Sequence, residues 1–126
     1  MRWQKDENIQ KDLNKLVKLL GFLHVKSPRI FAYRSYESSA RAYARIWSFP
    51  KIFQDALDLE PAYVIEVLSR HFDRLNEDEK ARVLIHELLH IPKNFSGALI
   101  PHVTRSRHLG RTANSLFEQY KRLTQN

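Results

Sequence analysis

The sequence contains no cysteine. Disulfides, thiolate catalysis and cysteine-ligated zinc are therefore excluded, and His, Asp and Glu remain as the strong metal ligands. No apolar run approaches the ~20 residues that a bilayer span requires. The opening Met1-Arg2-Trp3-Gln4-Lys5-Asp6-Glu7 lacks the apolar stretch and small-residue cleavage site of a secretory signal. A soluble, cytoplasmic protein is expected. Repeats, low-complexity segments and linkers are also missing, so one domain over residues 1–126 is expected, long enough to bury a core. Lys and Arg number 21 against 14 Asp and Glu, a formal charge of +7. Such an excess favours anionic partners such as nucleic acid, although dispersed charges of this kind also describe an ordinary solvated surface.

The apolar pattern alternates between helical and strand-like periods. Ile9, Leu13, Leu16, Val17 and Leu20 predict an amphipathic helix over 7–20, with Gly21 at its C-terminal end. Phe22 to Val25 reads as a short strand, and Ser27-Pro28 as a turn. Residues 29–36 and 42–49 are rich in aromatic and β-branched types and are expected to pair as antiparallel strands. Pro50 begins a short helix through Leu57. Ala62 to Leu68 is the strongest strand by propensity, either interior or free to pair with an extended peptide. Asn76 and Glu79 form a capping box that starts a helix running to about Ile91, where Pro92 stops it. A last helix covers about 106–123. The fold class expected is α+β, a small mostly antiparallel sheet with a central functional helix and a helix at each end.

That central helix carries His86-Glu87-Leu88-Leu89-His90. Residues four apart share a helix face, so both imidazoles can reach one metal ion, while Glu87 stands at the rim of that face. This is the His-Glu-x-x-His signature of zinc peptidases. On a helical wheel, Ala81, Leu84, Ile85, Leu88, Leu89 and Ile91 form a wide apolar arc, with His86 and His90 roughly opposite its centre. The wheel speaks against ordinary core histidines. Exposed polar histidines would leave Glu87 unexplained.

A catalytic zinc takes three protein ligands and keeps a position for water. His102 is the first choice for the third, because eleven residues separate it from His90 across a short return loop. His108 and Glu118 are the alternatives; His24 and His71 are read as structural. Zn2+ would acidify its water and polarise a carbonyl, with Glu87 as general base. Tyr33, Tyr36, Tyr43, Tyr63, Arg105 and His108 are candidate oxyanion donors. Two rival readings are a zinc-binding module without catalysis and a nucleic-acid-associated protein acting on DNA-bound proteins. The second rests on Arg29, Arg34, Arg41 and Arg45 interleaved with Tyr33, Tyr36 and Tyr43.

The stretch from His86 to Pro92, with Phe95-Ser96-Gly97-Ala98-Leu99 and Pro101-His102, resembles the small metallopeptidases of archaea and phages, zincin-like and SprT-like in style. The resemblance implies a zincin-like fold, zinc on His86, His90 and His102, Glu87 as base and a peptide or protein substrate. Metzincins require Gly and His three and six positions after the second histidine. Lys93 and Ser96 stand there and exclude that class. The cysteine-rich zinc ribbon that SprT-like proteins often add cannot exist here.

Overall fold

Alternating apolar residues and helical stripes here produce one helical layer against one face of a four-stranded sheet. The computed structural model describes residues 2–125, with side chains described throughout except at 102–109. The strands are β1 (Arg2–Lys5), β2 (Ile30–Tyr36), β3 (Ala44–Ser48) and β4 (Tyr63–Leu68). The helices are α1 (Glu7–Leu19), α2 (Lys51–Leu57), α3 (Ser69–Phe72), α4 (Glu77–Leu88) and α5 (His102–Thr124). The class is α+β, as expected. Among the described residues no helix is long and apolar enough to cross a membrane.

The sheet order is β1-β2-β4-β3, with β4 parallel to β2 and antiparallel to β3. The expected antiparallel pairing of β2 with β3 is thus incorrect, because β4 lies between them. The cause is compositional. Tyr63, Ile65, Glu66, Val67 and Leu68 are all buried, so this strand needs cover on both faces and partners on both edges. Strands β2 and β3 alternate more and take positions beside it. With both edges paired, β4 cannot also bind an extended peptide.

The helix-facing row of Ile30, Ala32, Ala44, Tyr63, Ile65 and Val67 meets Ile9, Leu13, Leu16, Leu84, Ile85 and Leu88. Helix α1 is the predicted amphipathic helix, its buried residues Ile9, Leu13 and Leu16 at helical spacing. Asp6 caps it by accepting from the Ile9 N–H at 2.9 Å. Gln10 of α1 donates to Ile30 O and accepts from Ala32 N–H, which ties the helix to β2. The residues 22–25 expected as a strand instead form turns, and Arg2–Lys5, not anticipated as a strand, pairs with β2.

Candidate metal centre

Helix α4 starts as its sequence dictates. Asn76 accepts from Glu79 N–H, and Glu79 reaches back to Asn76 N–H, closing the capping box. The α-helix ends at Leu88, earlier than expected, and tighter turns carry the chain through His90 and Ile91 to Pro92. Leu84, Ile85 and Leu88 anchor the helix in the core. His86 and His90 lie on its other side with ring centres 5.1 Å apart and planes at 74°. Two imidazoles sharing a tetrahedral zinc through bonds of about 2.1 Å hold their ring centres roughly 5 Å apart. The pair fits such an ion.

His90 is also oriented for the task. Its Nδ1 lies 2.5 Å from Ile100 O. A carbonyl only accepts, so the ring proton sits on Nδ1 and the lone pair on Nε2, the arrangement that outer hydrogen bonds impose on metal-binding histidines. In the other direction, Ile100 N–H donates to His90 O at 2.8 Å. The return loop is thereby stapled to the end of α4, two residues before His102 opens α5.

The wheel left the histidine side of α4 facing an open cleft with Glu87 at its rim. The structure differs: Glu87 and His90 are buried, at 7% and 4% exposure. The cover comes from β3 and the return loop. One cleft of about 330 Å³ is lined by Tyr43, Ala44, His86, Glu87, Gly110 and Asn114 among others. A second of about 330 Å³ is lined by Ala44, Ile46, Glu87, His90, Leu99 and Pro101 among others. Ala44 and Glu87 belong to both, so the carboxyl sits where the two clefts adjoin. Burial pushes the Glu87 carboxyl up to about 8. A divalent cation beside it would oppose that shift.

The other predicted residues divide clearly. Among the described residues no set of three His, Cys, Asp or Glu side chains is assembled for a metal. His102 and His108, like Arg105, lie outside the described side chains. Glu118 is exposed on α5 and lines neither cleft. His24 packs edge-on against Phe22, and His71 lies in α3, away from both clefts. Of the candidate oxyanion donors with described side chains, Tyr43 lines the His86 cleft. Tyr63 is committed elsewhere, donating to Ala98 O and accepting from Gly97 N–H, both at 2.8 Å. Tyr33 faces the opposite side of the sheet, and Tyr36 lies under the Arg2 guanidinium.

The basic cluster suggested for nucleic acid is also dispersed. Arg34 pairs with Asp6 and Asp73, Arg29 donates to the carbonyls of Glu60 and Pro61, and Arg45 pairs with Glu66. Ala44 was not singled out from sequence. Its small side chain opposite Glu87 leaves room for the clefts, and only the sheet register reveals it.

Two imidazoles and a buried carboxyl at a cleft beside an edge strand are groups that a metal-dependent hydrolase can use. The chain belongs to the family described as "Putative phage metallopeptidase", whose sequence model matches residues 1–118. No match to the chain was found among curated proteins or among solved structures. Membership implies a metal cofactor and a protein substrate.

Proposed function

We propose that the chain is a zinc-dependent peptidase in which His86, His90 and His102 hold the metal and Glu87 is the general base. The observation carrying this reading is the pair of imidazoles at 5.1 Å with Glu87 buried beside them, between the two clefts. Imidazole donors favour zinc over harder cations. Bound Zn2+ supplies acidification of water and polarisation of the scissile carbonyl. Glu87 takes the proton from the attacking water and delivers it to the leaving amine. Its seclusion by Ala44 and the return loop keeps bulk water from competing for that proton.

The substrate chain has a place to lie. Strand β3 is the sheet edge beside the site, and Ala44 and Ile46 line the His90 cleft. An extended peptide paired along β3 would bring a carbonyl over Glu87, with Tyr43 as the donor to the developing oxyanion. Purified protein should carry zinc in about one-to-one ratio and cleave a denatured protein or peptide library. Glu87→Gln should retain zinc and fold while losing at least a hundredfold in kcat. A fully folded protein that takes up no zinc would remove this reading.

A further inference from the structure

The face of the sheet turned away from the helices carries a second constructed surface. A trough of about 380 Å³ is lined by Trp3 of β1, Tyr33 of β2, Val64 and Glu66 of β4, and Trp47 of β3. All four strands contribute, and none of these residues belongs to the hydrophobic core. Trp3 is 56% exposed and Trp47 45%. At the floor lies Glu66, a carboxylate 1% exposed that the proposed hydrolysis does not use. Its Oε1 accepts from Trp47 Nε1 at 2.7 Å and from Arg45 Nε at 2.9 Å, and its Oε2 from Arg45 Nη2 at 3.3 Å. The Arg45 guanidinium in turn lies 5.1 Å from the Trp47 ring centre. A buried acid thus fixes the orientation of an exposed indole and of the cation beside it.

Charge selects what such a platform would hold. The sheet register puts Lys5, Tyr33, Glu66 and Arg45 in one row across this face. Among the described residues, Glu66 is the only carboxylate that the strands place there, and Arg45 neutralises it. Lys5 remains as an exposed cation on a chain of net charge +7. Rigid aromatic faces suit flat rings, and the positive balance favours a polyanion over a neutral ligand. Trp3 and Trp47 stand on the two edge strands, three strand spacings across and four residues apart along the strands, roughly 20 Å in all, with Tyr33 in the row between them. Three aromatic faces, Trp3, Tyr33 and Trp47, suit two or three bases, the number that aromatic side chains on a four-stranded sheet stack elsewhere.

We infer that this sheet face binds single-stranded nucleic acid, with bases stacked on Trp3, Tyr33 and Trp47 and the phosphate backbone drawn to Lys5. The inference does not depend on the peptidase reading. It is tested by titrating the full chain with an oligothymidylate and an oligouridylate of about ten nucleotides each, reading tryptophan fluorescence and the anisotropy of a labelled strand. Saturable quenching is expected, with affinity falling as salt rises at a log–log slope of about −0.7 for each phosphate engaged. Trp3→Ala and Trp47→Ala should each weaken binding roughly fivefold or more. Lys5→Gln should weaken it and flatten the salt slope, whereas Lys11→Gln on the exposed side of α1 should do neither. Circular dichroism verifies each fold, and the exposure of Trp3 and Lys5 makes their variants safe in that respect. Absence of binding at low salt overturns the inference. So does equal loss from Lys5→Gln and Lys11→Gln with the tryptophan variants unaffected, which marks diffuse charge attraction. Conversion of a dimer to a monomer by Trp47→Ala without oligonucleotide binding also overturns it, assigning the face to self-association.

Discussion

Individual residues hold the return loop that leads from His90 to α5. Tyr63, at the head of β4, donates to Ala98 O and accepts from Gly97 N–H, and its ring meets Phe95 edge-on. Gly97 adopts φ +94, and a Cβ there would stand 2.2 Å from Gln54 Nε2. The Gln54 side chain can swing away, so the backbone conformation decides the cost. Gly97→Ala should destabilise by about 1–3 kcal/mol, measured by denaturant unfolding. Tyr63→Phe leaves the Gly97 N–H and Ala98 O without their partner and should cost about 1–3 kcal/mol. Because the same loop is stapled to His90 at Ile100, Tyr63→Phe should also weaken zinc retention. A Tyr63→Phe protein with parental stability and zinc affinity would show that the loop is held by other contacts. The His-Glu-x-x-His spacing was readable from sequence because it depends only on the helical period. The service of Tyr63 was not, since its partners lie 34 and 35 positions away.

At the scale of elements, one ion-paired cluster joins α1, β2 and the end of α3. Arg34 of β2 donates to Asp6 at 2.8 Å and to Asp73 at 2.6 Å. Burial pushes the Asp6 carboxyl up, but the Ile9 N–H and the Arg34 hydrogen bond and charge outweigh it, leaving the pKa below its ordinary value. Asp73 is lowered in the same way, with burial opposed by Ser69 and Arg34. A carboxyl whose folded pKa is depressed adds stability that is fully present above its unfolded pKa of about 3.9. That contribution disappears as pH falls through the folded value. Asp6→Ala, which removes both cap and ion pair, should cost about 1–2 kcal/mol at neutral pH. The gap between parent and variant should narrow below about pH 4. A gap that stays constant into strong acid would assign the whole effect to the shape of the cap. Capping boxes and amphipathic stripes of this kind were legible because they are local. Strand order was not: β2 and β3 follow one another in the chain, yet the more apolar β4 takes the place between them. The same long-range pairing brings Ala44 over Glu87, which is why the carboxyl is buried and not at an open rim.

For the whole molecule, the arrangement separates the forces that fold it from those that hold its metal. The sheet and helices enclose an apolar core that runs from Ile9 to Phe117. Chelation should therefore leave the secondary structure in place, unlike a small zinc finger that unfolds without its ion. The metal nevertheless ties α4 to the start of α5 under the proposed ligation, and a ligand that binds only the folded state adds stability by mass action. At free zinc a hundredfold above its dissociation constant, that gain is about 2.7 kcal/mol. For a chain of 126 residues it corresponds to a rise in Tm on the order of 10 °C. Glu87→Gln should keep this rise, because its proposed role is to move a proton. His86→Ala, His90→Ala and His102→Ala should each diminish it. Differential scanning fluorimetry with and without zinc separates the ligands from the base without measuring hydrolysis. If His102→Ala kept the full rise while His86→Ala and His90→Ala abolished it, the third ligand would have to be sought elsewhere, His108 being the nearest alternative in sequence.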